Sequence, residues 1–259
     1  MRDLKISLVQ SMLHWEDAMA NLEMFSERLG PLAGHTDLIV LPEMFNTGFS
    51  MNSVKLAETM EGATVQWLKE QARRLGAAIY GSAIIEENGR FFNRGLFATR
   101  DGRISSYDKR HLFRMAQEHD HFSPGTERVI VELGGWRILL QVCYDLRFPV
   151  FSRNRNDHDL MLYVANWPEA RRYPWGQLLI ARAIENQSCV VGVNRVGMDG
   201  NGIHYSGDSV VVDPKGLVIG ACAPAKEEIV TSVLDHAALL EFREKFPAGL
   251  DADDFDLVL

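Results

Sequence analysis

Cysteine is scarce in this chain, with three residues in 259, at Cys143, Cys189 and Cys222. A small odd number of cysteines, far apart in sequence, differs from the paired spacing of a disulfide framework or a zinc site. The scarcity excludes a fold that depends on disulfide bonds and predicts a protein of a reducing compartment. A chain of this length buries roughly 70–75% of its unfolded surface and needs no covalent links.

Long apolar runs and an excess of positive charge are also missing. No stretch approaches the roughly 18 apolar residues of a membrane helix, and the first four residues lead into a strand-like run without the apolar segment of a signal peptide. Acidic residues outnumber basic ones, 35 to 27, for a formal net charge of −8. Nucleic acids and anionic membranes favour basic patches. We therefore expect a soluble cytoplasmic protein that binds neither nucleic acid nor membrane.

The pattern of apolar residues predicts strands that alternate with helices. Strands are predicted at 5–10, 37–43, 77–85, 91–99, 103–109, 129–133, 136–142, 160–164, 188–193, 208–213, 217–221 and 228–234. Helices are predicted at 21–33, 63–75, 148–155, 175–185 and 235–246, and a polar loop over a site at 111–126. This order favours an α/β fold of two sheets, each covered by helices. We expect one domain over 1–259, with its core at about 4–235 and a C-terminal helix and acidic tail at about 235–259.

The apolar run 138–142 is typical of a buried strand, and it ends at Cys143, after which the chain becomes polar at Asp145 and Arg147. Ligands of open α/β sheets bind beyond the carboxyl ends of strands, so Cys143 is placed where a nucleophile would be. The alternative is an unreactive thiol that completes a core strand, a common role for buried cysteine. This stretch alone leaves both interpretations open.

Two further strand-like runs end at charged residues, Glu43 and Lys109. A carboxylate near a thiol can take its proton. An ammonium group favours the thiolate and can stabilise an oxyanion. Each residue alone is better explained as surface charge. Together they supply a candidate base and a candidate cation for Cys143.

Three segments carry a resemblance to a known family: Leu41-Pro42-Glu43-Met44-Phe45, Tyr107-Asp108-Lys109-Arg110-His111-Leu112-Phe113 and Val142-Cys143-Tyr144-Asp145-Leu146-Arg147-Phe148. In this order, Glu then Lys then Cys, they resemble the signatures of the nitrilase superfamily, over about residues 4–235. The resemblance implies the four-layer α-β-β-α sandwich of that family. Segments 165–170 and 181–187 resemble its omega-amidase branch.

The most economical mechanism for these residues is acyl transfer through a thioester. Cys143 attacks an amide carbonyl, Glu43 takes the thiol proton and later protonates the departing ammonia, and water then hydrolyses the thioester. Lys109 and the backbone N–H of Tyr144 are the expected oxyanion donors. The resemblance adds Glu118, because the family carries a second glutamate shortly before a Pro-Gly between its Lys and Cys motifs. Its implied role is to position Lys109 and the substrate amide.

An omega-amidase would act on the monoamide of a short dicarboxylic acid, such as the 2-oxo acid derived from glutamine or asparagine, with water as second substrate. The free carboxylate of such a substrate requires a cation besides Lys109, and arginine suits that role by its bidentate geometry. The candidates near presumed strand ends are Arg147, Arg171, Arg172 and Arg195. Aromatic side chains after strands line pockets or fill cores, and the candidates for a pocket are Phe45, Tyr144 and Trp167.

Asp145 and Arg147 have a second interpretation, in which they pair with neighbours and hold the turn after the nucleophile. A metal site at 118–121 with His111 is disfavoured, because adjacent residues do not easily converge on one ion and no His-Glu-x-x-His pattern is present. We expect neither a metal nor another cofactor.

Other functions remain compatible with these residues. A nitrilase or an N-carbamoyl amide hydrolase would share Glu43, Lys109 and Cys143, an acyltransferase would pass the thioester to an amine, and a silent binding module would keep only the fold. The family commonly assembles through one face of the sandwich, so the resemblance implies a homodimer.

Overall fold

The structure, a computed structural model, describes residues 2–257. Its strands are β1 (Leu4–Gln10), β2 (Leu38–Val40), β3 (Ala78–Glu87), β4 (Arg90–Ala98), β5 (Ile104–Asp108), β6 (Ile130–Leu133), β7 (Trp136–Val142), β8 (Leu160–Ala165), β9 (Cys189–Asn194), β10 (Val196–Met198), β11 (His204–Ser206), β12 (Val210–Val212), β13 (Val218–Ala221) and β14 (Glu228–Leu234). One six-stranded sheet has the order β14-β1-β2-β3-β4-β5, and the other has the order β13-β12-β9-β8-β7-β6. The short strands β10 and β11 pair as a separate hairpin.

The helices connect strands and cover the sheets. They are α1 (Ala18–Arg28), α2 (Ser53–Leu56), α3 (Ala63–Leu75), α4 (Glu118–His121), α5 (Pro149–Ser152), α6 (Arg172–Asn186) and α7 (His236–Lys245). Short 3-10 helices occupy Gly30–Leu32, Arg114–Ala116, Cys143–Arg147, Glu169–Arg171 and Ala248–Asp251. Within residues 2–257, no helix is long and apolar enough to cross a membrane.

Two apolar cores separate the layers. One core joins side chains of both sheets, such as Leu8 of β1 and Leu140 of β7, so the sheets pack face to face. The other joins Phe25 of α1 and Leu68 of α3 to Ile79 of β3, so these helices cover the outer face of the first sheet. On the second sheet α6 packs against β9. The expected α-β-β-α sandwich is confirmed.

The approach of α6 to its sheet requires a glycine. A Cβ placed on Gly192 of β9 would lie 2.5 Å from Leu179 Cδ1 and 2.9 Å from the Trp175 ring. Such distances are shorter than any van der Waals contact, so only glycine permits this close packing of helix and strand.

Parallel pairing brings several strand ends to one edge of the sandwich. β1, β2 and β3 run parallel to one another, as do β7, β8 and β9. β5 is antiparallel to β4, which is antiparallel to β3, so β5 ends at the same edge as β3. The carboxyl ends of β2, β5, β7 and β8 therefore carry the segments that approach one another there.

Most elements form where the apolar pattern predicts them, and the differences have local reasons. α6 begins at Arg172 because Pro174 lies in its first turn, where a missing N–H is tolerated. The predicted strand 37–43 is paired only over 38–40. The predicted loop 111–126 contains a 3-10 turn and α4. The β10–β11 hairpin was not predicted, because strands of three residues show no useful periodicity.

Candidate active site

Left-handed backbone occurs at or directly beside three of the candidate residues. Met44, directly after Glu43, has φ of 42°, Cys143 itself has φ of 46°, and Gln117, directly before Glu118, has φ of 58°. Residues other than glycine rarely adopt this region, and each such residue costs on the order of 1–3 kcal/mol. Strain of this kind clusters at functional sites. It marks this edge of the sandwich as the candidate active site.

Lys109 joins the two glutamates. Its Nζ lies 2.8 Å from Glu43 Oε1 and 3.0 Å from each carboxylate oxygen of Glu118. All three charged side chains are completely buried. One ammonium group shared between two carboxylates leaves an excess of negative charge away from water, which is costly unless other donors compensate.

Neutral N–H groups supply that compensation. Asn93 Nδ2 donates to Glu43 Oε1 at 2.8 Å and to Glu118 Oε1 at 3.1 Å. The backbone N–H of Asn166 donates to Glu43 Oε2 at 2.8 Å, and that of Phe113 donates to Glu118 Oε2 at 2.6 Å. Both carboxylates are therefore held in fixed orientations by strands and loops of both sheets.

Burial shifts the proton equilibria of the cluster. The pKa of Cys143 lies well above its ordinary value, because the thiol is buried and Glu43 is close by, which Lys109 only partly offsets. Burial likewise raises the pKa of Glu118, against the opposing effect of Lys109. Burial alone would lower the pKa of Lys109, but Glu118 and Glu43 outweigh it and raise that pKa. The thiol therefore rests in its protonated form and needs a base in order to attack.

Asp145 holds the turn that follows β7, as its structural interpretation predicted. Its Oδ2 accepts the Val142 N–H at 3.0 Å, and its Oδ1 accepts the His111 N–H at 2.9 Å and lies 2.8 Å from His111 Nδ1. Arg147 departs from that interpretation, because its guanidinium lies over the Trp167 ring, 5.0 Å from the centroid.

The backbone N–H of Tyr144 is placed directly after the thiol. The 3-10 helix that begins at Cys143 makes Tyr144 its second residue. The first N–H groups of a helix have no acceptor within the helix. This N–H is therefore a donor suited to an oxyanion on a carbon bound to Cys143.

A cavity of about 320 Å³ adjoins the cluster, and Lys109, Cys143 and Asn166 form part of its wall. Most of the remaining wall is apolar or aromatic, from Phe49, Met51, Phe113, Met115, Ala116, Tyr144, Trp167, Pro168, Ile203 and Tyr205. Two guanidinium groups, of Arg147 and Arg171, also line the cavity. Asp199 and Asn201 add two more polar residues to the wall. A small, largely apolar cavity with a few polar groups suits a small organic ligand.

Comparisons with known proteins agree with this geometry. The family model described as carbon-nitrogen hydrolase matches residues 5–244. The chain belongs to the carbon-nitrogen hydrolases of the nitrilase superfamily. It is 51% identical to the omega-amidase YafV of Escherichia coli K12, over 99% of this chain and 100% of that one. It is 35% identical to the 2-oxoglutaramate amidase of Bacillus subtilis, over 82% and 83% of the two chains.

A solved structure shows the same fold. The hydrolase is 52% identical to XC1258 of Xanthomonas campestris, a CN-hydrolase superfamily protein with an arsenic adduct in its active site. The TM-score is 0.98, and the match covers 100% of both chains. The predicted superfamily is thereby confirmed.

The structure of this hydrolase brings together seven of the predicted site residues. Glu43, Lys109, Glu118 and Cys143 form the buried cluster, as described above. Tyr144, Trp167 and Arg147 line the cavity, together with Arg171, which the sequence offered as an alternative. Among residues 2–257, no group of three or more His, Cys, Asp or Glu side chains could hold a metal ion. His111 contacts Asp145 whereas Glu118 contacts Lys109, so the residues weighed as a metal site diverge.

Three predicted substrate-binding residues lie away from the cavity. Phe45 is buried in the outer core, where its ring packs against those of Phe25 and Trp67. Arg172 forms an ion pair with Asp208 at 2.6 Å. A strand end or a helix start does not fix the direction of the next side chain, so the sequence pattern could not show these placements.

Arg195 is the third of these residues. Its side chain is completely buried, and its Nη2 donates to the carbonyl oxygens of Met198 at 3.2 Å and Leu13 at 3.5 Å. Its guanidinium also lies 4.9 Å from the Tyr205 ring centroid. Arg195 therefore supports the β10–β11 hairpin from behind, while Tyr205 of that hairpin faces the cavity.

Sequence reasoning missed two asparagines of the site in this hydrolase. Asn93 bridges both glutamates, and its only sequence signal is an amide within the apolar strand β4. Asn166 directly follows β8, which places it at the same edge as Cys143. That position after a strand is the signal that also pointed to Glu43 and Lys109, and it could have identified Asn166.

Proposed function

We propose that this hydrolase releases ammonia from the omega-amide of short dicarboxylic monoamides, of the 2-oxoglutaramate and 2-oxosuccinamate type, through a cysteine thioester. The observation that carries the proposal is the completely buried Glu43–Lys109–Glu118 cluster beside the Cys143 thiol, at the wall of a small cavity. The identities to YafV and to the 2-oxoglutaramate amidase support the choice of substrate.

The first half of the reaction transfers the acyl group to sulfur. Cys143 Sγ bonds to the carbonyl carbon of the amide, and the thiol proton passes to Glu43. The negative oxygen receives hydrogen bonds from Lys109 Nζ and the Tyr144 N–H, and losing one such donor typically costs about 10²–10³ in rate. When the C–N bond breaks, Glu43 gives its proton to the nitrogen, which leaves as ammonia.

The second half releases the acid. A water molecule attacks the thioester carbon while Glu43 takes one of its protons, the C–S bond breaks, and the thiolate regains the proton. Glu118 holds Lys109 in place throughout, through contacts of 3.0 Å from both carboxylate oxygens. No group besides the side chains named here and water is needed for the balance of atoms.

The free carboxylate of the substrate binds Arg147 and Arg171. Both guanidinium groups line the cavity, and neither forms an ion pair with a carboxylate of residues 2–257. Arg171 lies over the Phe113 ring at 5.6 Å, as Arg147 does over Trp167 at 5.0 Å. Stacking on rings keeps a guanidinium fork oriented and available for a planar carboxylate.

The proposal is tested by ammonia release from 2-oxoglutaramate, 2-oxosuccinamate, succinamate and glutaramate, with the Cys143→Ala variant as control. We expect turnover that the variant lacks, and an acyl-enzyme mass on Cys143 after rapid quenching. Turnover of nitriles or N-carbamoyl amino acids instead would mean that the same residues catalyse nitrile or N-carbamoyl amide hydrolysis. Products formed with added amines would identify an acyltransferase, and failure with every compound class would support a silent binding module.

Adjacent arginines give a matched test of carboxylate binding. Arg171 lines the cavity, whereas Arg172 pairs with Asp208 and does not. We expect Arg171→Ala to raise KM for succinamate by roughly 10-fold or more, from the loss of a charged hydrogen bond, and Arg172→Ala to leave KM near the wild-type value. Equal values of KM in the two variants would remove Arg171 from the site.

We further propose a single-domain homodimer of a reducing cytoplasm. Ile184 of α6 lies beside Gly216, and the exposed apolar residues Leu217, Val218 and Ile219 follow Gly216 into the edge strand β13. Exposed apolar patches often mark interfaces. Sedimentation equilibrium of the wild type and of Ile219→Glu would distinguish dimer from monomer. All three cysteines are free, as a reducing compartment requires.

A further inference from the structure

Asn166 has an unused hydrogen-bond acceptor at the catalytic cavity. The residue is only 4% exposed, and it lines the cavity. Within residues 2–257, no donor reaches its Oδ1. A buried amide oxygen without a partner costs about 1–3 kcal/mol. The protein keeps this costly atom beside its nucleophile, which indicates that a ligand supplies the donor.

Glu43 fixes the orientation of the Asn166 amide. Asn166 Nδ2 donates to the Glu43 carbonyl oxygen at 2.5 Å. A carbonyl oxygen only accepts, so exchanging the nitrogen and oxygen of the amide would set two acceptors against each other. The oxygen is therefore the atom left for a ligand. The backbone N–H of Asn166 donates to Glu43 Oε2. Asn166 therefore hydrogen-bonds both the backbone carbonyl and the carboxylate of the proposed base.

The proposed mechanism brings the leaving nitrogen of the amide substrate close to Asn166. β7 and β8 run parallel with Val142 beside Val164, so Cys143 and Asn166 both follow neighbouring strand ends. Glu43 has to reach the nitrogen in order to protonate it. Since Asn166 is hydrogen-bonded to Glu43, a substrate nitrogen within reach of the Glu43 carboxylate lies next to the Asn166 side-chain amide.

We propose that Asn166 Oδ1 accepts a hydrogen bond from the carboxamide N–H of the substrate and selects a primary amide against the ester or the free acid. The inference rests on the proposed function. An amide nitrogen carries two N–H donors, whereas an ester oxygen and a carboxylate only accept. One N–H binds Oδ1 while Glu43 protonates the nitrogen, and the C–N bond then breaks to release ammonia. The ionised product has no donor for Oδ1 and leaves the site more readily.

The test compares two substrates that give the same thioester, succinamate and monomethyl succinate. Values of kcat/KM are measured for the wild type, Asn166→Ala, Asn166→Ser and, as matched control, Asn93→Ala. Asn93 also donates to Glu43 but does not line the cavity. We expect the amide-to-ester ratio of kcat/KM to fall roughly 10–100-fold in Asn166→Ala, and to stay within about 3-fold of the wild type in Asn93→Ala. The ratio does not depend on the folded fraction of a preparation.

Each outcome of the test decides the proposal. A parallel loss of amide and ester hydrolysis in Asn166→Ala would overturn it and leave Asn166 as a support of Glu43 alone. If the wild type does not hydrolyse the ester, binding replaces turnover as the measurement. Calorimetry then compares the affinity of both compounds for Cys143→Ala and for the double variant Cys143→Ala/Asn166→Ala. Only the affinity for the amide should be weaker in the double variant. A wild type inactive on every omega-amide would refute the proposed function, which is a different result.

Discussion

Two groups of charged side chains lie at opposite ends of β8, one completely buried and one with a buried carboxylate between partly exposed arginines, and they differ in charge balance. At the carboxyl end, Lys109 is shared between Glu43 and Glu118. At the amino end, Asp159 is shared between Arg137, at 2.8 and 3.0 Å, and Arg243, at 2.7 Å. Carboxylates exceed cations in the first cluster, and cations exceed carboxylates in the second.

The proton equilibria follow this difference. Burial raises the pKa of Glu118 despite its contact with Lys109. Burial acts in the same direction on Asp159, but hydrogen bonds from Arg137 and Arg243 outweigh it and lower the pKa of Asp159. Carboxylates whose charge is fully balanced by cations stabilise the fold. Carboxylates that are not fully balanced have perturbed pKa values, which is typical of groups that exchange protons in a functional site. Arg243 illustrates the first role, because it ties α7 to Ser188 before β9.

The largest effect is expected where the only cation of the site cluster is removed. Lys109→Met should lower kcat by at least about 10²–10³, because the oxyanion loses a donor. It also leaves Glu43 and Glu118 facing each other, which penalises their ionised forms. The thermal unfolding midpoint of this variant should therefore fall as the pH rises from 5 to 8, relative to the wild type. Near wild-type kcat would remove Lys109 from the oxyanion site.

The second effect should appear in stability without a loss of activity. Asp159→Asn removes the carboxylate that joins Arg137 and Arg243, and we expect a loss of about 2 kcal/mol in the free energy of unfolding at pH 7. Since Asp159 precedes β8 at the end remote from Cys143, kcat/KM should stay within about 2-fold of the wild type. Urea denaturation and an ammonia assay measure the two quantities. A matched loss of activity would show that the two ends of β8 are coupled.

The sequence predicts the site cluster better than its surroundings. Glu43, Lys109 and Cys143 each follow an apolar strand, and strand ends are visible in a sequence because they depend on local pattern. The family resemblance added Glu118, which has no such signal. The strand and helix order also predicted the two covered sheets, because alternation of elements limits the possible layers.

Side-chain directions outside regular strands could not be predicted. Arg171 lines the cavity and its neighbour Arg172 does not, because the chain passes from a 3-10 turn into α6 between them. Arg195 is buried by a hairpin whose strands are too short to recognise. The bridging role of Asn93 depends on which residues of other strands lie opposite, which is a property of three-dimensional register rather than of local sequence.

The smallest expected effect is a change in how the free energy of unfolding depends on pH. It is also the sharpest test of the difference between the two clusters, because the two clusters predict slopes of opposite sign. The raised pKa of Glu118 means that its contribution to stability is complete below about pH 4 and is lost as pH rises through the folded-state pKa. The lowered pKa of Asp159 means that its contribution is present above about pH 4 and is lost as pH falls through the folded-state pKa.

Relative to the wild type, Glu118→Gln should therefore gain stability as pH rises from 4 to 7, whereas Asp159→Asn should lose stability as pH rises from below 3 to about 4. The sign of each change is measured as the free energy of unfolding in urea at each pH. The double variant should show both slopes in their separate ranges, since the residues lie at opposite ends of β8 and share no partner. Slopes of the same sign would mean that the two clusters do not differ in charge compensation, and the distinction between a catalytic and a structural cluster would fail.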